Sequence, residues 1–370
     1  MADSSNAQSD QSLKDAVWAV LATVQDPELF KDLVTLKMVK DVRACNGAVG
    51  IDIDLTTPAC PMRSKIEKDV TDAVLKIPGA LSVSIKFGAS VRPSNDQRNI
   101  LPGVRNVIAV GAGKGGVGKS TVAVNIAVGL ALAGAKVGLL DADVYGPSIP
   151  IMTGLAEAQP SVVDDQIIPF QWGSAPQPIK VMSIGFIVQK EKALIWRGPM
   201  VHGVIRQFLE QVQWGELDYL IVDLPPGTGD VSLTLAQSIP LTGAVIVATP
   251  QEVALADARR AVRMFQQLGV WILGVVENMS YFMCDHGTRY DLFGSGGAQQ
   301  MAQEMSLPFI GQLPLEISVR KNSDRGDPFA NFTGKMQPQM QAMVETLAGQ
   351  ISVRNLTRPP GKAVKLDISS

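Results

Sequence analysis

Cysteine and histidine are scarce: three cysteines (Cys45, Cys60, Cys284) and two histidines in 370 residues. No C-x-x-C or H-x-x-x-H spacing links them, so a four-ligand zinc cage built from one local stretch is excluded. A disulfide-stapled scaffold is excluded too, and the sparse count suits a reducing compartment. Sulfur ligation would have to draw on distant segments or on a second chain. Charge of one sign is also lacking. A net charge of −2 gives no footing for bulk nucleic-acid or polybasic membrane binding, so neither partner is expected. The longest apolar stretch, 126–140, is interrupted by glycines and Lys136 and is too short for a bilayer. Residues 1–11 are polar, with no basic residue and no apolar export core, and are expected to be a disordered leader. A cytoplasmic protein follows.

What is present is enough apolar content, 46%, to build real cores, in a length that suits two domains of about 100–200 residues each. The pattern changes once. Residues 12–90 read as a small α+β unit in the order αββαβ. It has a helix at 12–24, strands at 33–43 and 48–55 joined through Asn46-Gly47, a helix at 62–76 and a strand at 81–87. Residues 91–104, with two prolines and several polar residues, read as a linker. From there to 352, short β-branched runs at 107–111, 136–140, 217–223, 244–248 and 271–277 alternate with helical segments. That alternation predicts an α/β fold with a doubly wound, mostly parallel sheet. Residues 353–370 carry Pro359-Pro360-Gly361 without periodicity and read as a tail.

Chemistry concentrates in one motif. Gly113-Lys114-Gly115-Gly116-Val117-Gly118-Lys119-Ser120 fits G-x-x-x-x-G-K-[ST], after a strand and before a helix. Glycines let successive backbone N–H groups turn inward to hold an anion, and the helix dipole adds to the attraction. Lys119 is expected to reach the β/γ-phosphates, and Ser120 to ligate Mg²⁺. Two acids at strand ends complete the picture. Asp223 closes Leu220-Ile-Val-Asp, as the Mg²⁺-holding acid of such sites does. Asp143, in Asp141-Ala-Asp143, is expected to position the attacking water. The Pro225–Asp230 loop directly after Asp223 is where a γ-phosphate-sensing switch would sit.

These residues carry a resemblance. Lys114 inside the loop is similar to the signature lysine of the MinD and nitrogenase-iron-protein group. The longer strings at 141–148, 196–200, 223–230 and Glu277-Asn278-Met279-Ser280 resemble the Mrp/ApbC family of iron–sulfur cluster carrier P-loop ATPases. Asp26-Pro27-Glu28 and Thr56-Thr57-Pro58-Ala59-Cys60-Pro61 resemble the metal–sulfur cluster assembly domain often fused in front of it. The resemblance implies ATP hydrolysis by a homodimer, with Lys114 reaching the partner's nucleotide and Gly113 to Thr121 cradling the phosphates. It implies that Asn278 contacts adenine. It also implies that an iron–sulfur cluster, [4Fe–4S] in the family, is handed to apo client proteins with the help of assembly factors.

One departure stands out. The family carries C-P-x-C just after the Glu277–Ser280 string; here Met283-Cys284-Asp285-His286-Gly287 has one cysteine, and the second is replaced by Gly287. Two chains would offer two Cys284 thiolates, where a cubane normally takes four. The chain is similar in this to the plastid photosystem I assembly type. Cys60, Pro-flanked at an expected helix start, is the other ligand candidate; that position is expected to favour the thiolate. His286 is an auxiliary one. Cys45 reads as structural, and His202 as a polar residue on a helix face. Alternatives are a MinD-like positioning ATPase, a small-molecule kinase, and a nucleotide-regulated assembly partner without its own cluster.

Overall fold

The computed structural model describes residues 2–94, 100–174, 176–187 and 198–357, with backbone alone at 2–9 and 198–202. The chain divides into two compact units, Met1–Arg92 and Pro93–Ser370.

In the first unit, α1 (Ala2–Leu21) begins well before Ser12, so the stretch expected to be a disordered leader is helical. Its polar half contains no glycine or proline to interrupt a helix nucleated further along. Leu13, Val17 and Leu21, each four apart, bury one stripe of it. β1 (Val39–Cys45) and β2 (Ala48–Leu55) pair antiparallel across Asn46 and Gly47, at φ 48° and 80°. Two consecutive positive φ values define the hairpin turn that this dipeptide favours. The first strand starts at Val39 rather than 33 because a turn precedes it. There the Asp32 carboxylate accepts from Thr35 N (2.7 Å), Lys37 adopts φ 58°, and Leu33 and Leu36 are buried. α2 (Arg63–Val74) then crosses to β3 (Ser82–Ala89), which runs parallel to β2. Alternate residues of β2, from Val49 to Leu55, face the helices and form the core with Ile66, Val70 and Val74.

The second unit opens with β4 (Val104–Gly111), α3 (Lys119–Leu132), β5 (Val137–Asp141) and a short α4 (Ile149–Met152). A hairpin, β6 (Ser161–Val163) and β7 (Gln166–Ile168), precedes β8 (Phe170–Trp172) and β9 (Ile179–Ser183). Next come α5 (Gly198–Gln211), β10 (Leu217–Asp223), α6 (Asp230–Ser238), β11 (Gly243–Ala248), α7 (Glu252–Gln267) and β12 (Ile272–Glu277). A two-stranded excursion, β13 (Phe282–Met283) and β14 (Arg289–Tyr290), leads to α8 (Gly297–Glu304) and β15 (Phe309–Gln312). α9 (Ile317–Asp324) and α10 (Gln337–Thr357) follow.

Eight strands form one sheet in the order β15-β12-β11-β4-β10-β5-β9-β8, parallel throughout except for β8 against β9. β4, β10, β11 and β12 are buried along almost their whole length, which is why they read as unbroken apolar runs. The strand order turns around β4 and β10, and loops leaving their carboxyl ends form a crevice there. α10 continues through Thr357, with Arg354 buried and its guanidinium 2.7 Å from Ser94 Oγ. The expected tail therefore does not begin at 353; residues 358–370 lie outside the described ones. Among the described residues no helix is long and apolar enough to cross a membrane.

Candidate functional site

The loop from β4 to α3 is shaped by what glycine permits at two points. A Cβ on Gly113 would run into the backbone of Asp257 in α7, so the loop packs against that helix only without a side chain. Gly118 sits at φ 81°, and a Cβ there would strike the Asn278 amide. Gly115 and Gly116 are exposed with open space beside them, which is where a phosphate has room to approach backbone N–H groups. Val117 is buried, and its carbonyl accepts from Asn278 Nδ2 at 2.9 Å. α3 begins at Lys119 with its positive dipole end facing the loop.

Beneath the loop, Lys119 stands among carboxylates. Its Nζ lies 2.7 Å from Asp223 Oδ1, 3.3 Å from Asp143 Oδ2 and 3.2 Å from Ser120 Oγ. Burial pulls the ammonium down, but Asp223 and Asp143 outweigh it and hold Lys119 above the ordinary lysine range. Burial pushes the Asp223 carboxyl up against the opposing pull of Lys119. Asp223 is fully buried, and its Oδ2 has no hydrogen-bond partner among the described residues. A buried carboxylate oxygen without a donor fits a cation, and Ser120 supplies the neighbouring hydroxyl. Asp141 closes β5 directly behind them. It accepts from Ser183 Oγ (3.0 Å), Asp143 N (3.1 Å) and Ile149 N (3.2 Å). Burial, with Asp223 nearby, pushes it up to about 8.

The surrounding loops are tied to the same place. Asp143 Oδ1 accepts from Tyr145 N at 3.2 Å, fixing the start of the 142–148 loop. Gly227 N donates to Ala112 O at 2.8 Å, so the Pro225–Asp230 loop lies against the phosphate loop. Asn278 lines a small cavity with Thr121, Val122, Leu313, Pro314 and Val319. Lys114 is half-buried and makes no ion pair among the described residues. Lys119, Ser120, Thr121, Asp143, Asp223 and Asn278 thus gather round one loop. Sequence reasoning assigned no role to Asp141, although it closes a strand beside Asp143. It had no means of finding Ser183, because β9 is short and preceded by proline-rich chain.

The two candidate cysteines differ in character. Burial pushes the Cys60 thiol up to about 11, and Glu28 and Asp26 add to this. The expectation that a helix start would favour its thiolate is corrected: Cys60 precedes α2, but desolvation and two acids dominate. Cys284 is the opposite. Hydrogen bonds from the backbone N–H groups of His286 and Thr288 hold it below the ordinary thiol range. Gly287 adopts φ 78° and donates its N–H to Cys284 O at 2.9 Å, closing a tight turn. The residue in place of a second cysteine thus has a backbone role. His286 is exposed, and the side chain of His202 lies outside the described residues. Among the described residues no three His, Cys, Asp or Glu side chains form a metal-holding group. Cys60 belongs to the first unit and Cys284 to the second.

This arrangement of loop, helix and strand-end acids is matched over residues 103–352 by the family described as NUBPL iron-transfer P-loop NTPase. The chain belongs to that family. Residues 14–87 match a second family, described as iron–sulfur cluster assembly protein. The chain is 49% identical over 356 residues to the iron–sulfur cluster carrier protein of Deinococcus radiodurans, spanning 94% of this chain and 98% of that one. A solved nucleotide-binding protein from Archaeoglobus fulgidus, in complex with ADP, is 42% identical. It covers 66% of this chain and 96% of its own, with a TM-score of 0.57. The cell division ATPase MinD of Pyrococcus furiosus shares the fold at 22% identity, covering 65% of this chain and 98% of its own, with a TM-score of 0.51. The resemblance carried by the motifs and the fold class read from the strand pattern both hold.

Proposed function

We propose that this NTPase hydrolyses ATP as a homodimer and carries iron–sulfur clusters to apo client proteins in the cytoplasm. The observation that carries the nucleotide half is the buried Lys119–Asp223–Asp143 cluster under an open glycine loop, with Asp223 Oδ2 unpartnered among the described residues. The carrier half is supported by the names of relatives such as the Deinococcus protein, which aligns over nearly its whole length.

In this reading the backbone from Gly113 to Thr121 holds the phosphates, and Lys119 swings from Asp223 to the β/γ oxygens. Ser120 and Asp223 would hold Mg²⁺, which neutralises charge between the phosphates. Asp143 orients the attacking water, and Lys114, without an ion-pair partner among the described residues, extends to the partner's nucleotide. Asn278, in the cavity beside α3, reads the adenine. Cys284 is the stronger ligand candidate for a transferred cluster, [4Fe–4S] in type, because its thiolate is the more readily formed. Cys60 serves only where a cation draws off its proton.

One experiment tests both halves. The chain is reconstituted anaerobically with iron and sulfide, and the visible charge-transfer absorption and iron per dimer are read for wild type, Cys60→Ala and Cys284→Ala. Cluster lost with Cys284→Ala alone is the expected result; no cluster in any form sinks the carrier reading. Lys119→Ala should abolish ATP turnover. Gly287 favours a second reading, a nucleotide-regulated assembly partner that holds no cluster of its own. That reading predicts normal turnover with no absorption in any variant.

A further inference from the structure

The carboxylate of Glu277 is fully buried at the end of β12 and has no place in the nucleotide site, yet it receives four hydrogen bonds. Ser280 Oγ donates to Oε1, as do Gly296 N (2.8 Å) and Gln312 Nε2 (3.2 Å), while Ala298 N donates to Oε2 at 2.7 Å. Ser280 is where the chain leaves the sheet for the β13–β14 excursion, and Gly296 and Ala298 are where it returns into α8. One side chain therefore fastens both ends of the loop that presents Cys284. Arg289 reinforces the base, with Nη2 2.6 Å from Ser295 Oγ and its guanidinium 4.3 Å from the Tyr281 ring.

The next residue is Asn278. Neighbours along an extended chain point to opposite faces. Here one face holds the Glu277 clasp, and the other holds the Asn278 contact to the Val117 carbonyl of the phosphate loop. The backbone between them is pinned. Glu277 O accepts from Leu313 N (2.8 Å), Ser280 N donates to Leu313 O (2.9 Å), and Asn278 N donates to Ala248 O (2.8 Å). Met279 takes φ 54°, an uncommon conformation for its side chain that persists because its surroundings fix it. Four residues thus join the phosphate loop to the Cys284 loop with no slack between.

We propose that Glu277 is a positioning residue that couples occupancy of the phosphate loop to the exposure of Cys284. A ligand that moves Asn278 off Val117 shifts a backbone segment to which the clasp is rigidly attached, and the clasp sets the Cys284 loop. The coupling is reciprocal, so whatever holds Cys284 changes nucleotide affinity by the same factor. This rests on the nucleotide reading above, and its test measures nucleotide binding separately.

The full-length chain is alkylated with iodoacetamide without nucleotide, with Mg–ADP and with Mg–ATP, and the rate at Cys284 is followed by peptide mass spectrometry. Affinity is measured in parallel with a fluorescent ATP analogue. Nucleotide is expected to change the wild-type rate by about fivefold or more. Glu277→Gln keeps the size but sets an amide N–H against backbone donors. It should bind nucleotide within about twofold of wild type while its Cys284 rate no longer responds to nucleotide. A merely structural role would alter the rate equally in every nucleotide state and leave the response intact. Should Glu277→Gln fail to fold, Ser280→Ala, which removes one donor and no charge, is expected to halve the response or better. A wild-type rate that ignores bound nucleotide overturns the coupling, as does a full response in Glu277→Gln or, if that variant does not fold, in Ser280→Ala. A chain that binds no nucleotide overturns the nucleotide reading and the coupling with it.

Discussion

Lys119 and the two acids it touches form one buried ion cluster. Removing a single member of a buried ion cluster leaves uncompensated charge and costs about 3–5 kcal/mol. Lys119→Ala should therefore lower thermal stability as well as abolish turnover. Mg²⁺ alone should restore part of that loss, since a cation can take the vacated place between Asp223 and Asp143. Melting curves with and without Mg²⁺ check this; a variant with unchanged stability, or one indifferent to Mg²⁺, contradicts it. The thiols give a second prediction. Cys60, pushed up to about 11, is protonated at neutral pH and becomes reactive only as pH climbs towards that value. Cys284, held below the ordinary range by backbone N–H groups, is expected to be alkylated first at pH 7.5. At this scale the sequence was legible where a residue type implies its own geometry, as in the Gly118-Lys119-Ser120 run. It misled at Cys60, because position before a helix says nothing of the burial that tertiary folding imposes on the thiol, nor of Glu28 and Asp26 brought near it.

Among the elements, β4, β10, β11 and β12 were readable from their continuous apolar runs, and the Asn46-Gly47 turn from its dipeptide. β8, β9 and β15 were not: β8 and β15 are three and four residues long, and β9 follows a proline-rich stretch that breaks the pattern. The start of α1 was missed because its polar first half carries no stripe to reveal it. The Glu277 clasp was invisible for another reason: its donors lie 3, 19, 21 and 35 residues away in sequence. The Cys284–Thr288 turn yields a prediction of its own. Gly287→Cys would install a C-x-x-C pair in open space, at a backbone cost of roughly 1–2 kcal/mol for a side chain at φ 78°. Reconstitution should then give more iron per chain than wild type, with a lower melting temperature. Unchanged iron loading would count against this loop as the cluster site.

For the whole molecule, two units with separate cores should melt separately. Calorimetry of the full chain is expected to show two transitions, with Mg–ADP raising only the one that belongs to the P-loop unit. A single transition that shifts as a whole would show the units to be thermodynamically inseparable.

The lysine beneath the phosphate loop has one more consequence. Asp223 and Asp143 are buried in the folded chain, each in contact with the buried Lys119. On the proposed nucleotide reading, arrival of a magnesium-bound phosphate would be an ion exchange rather than a first dehydration. In that reading, one cation would withdraw along its own four-carbon stem as another enters between the same acids.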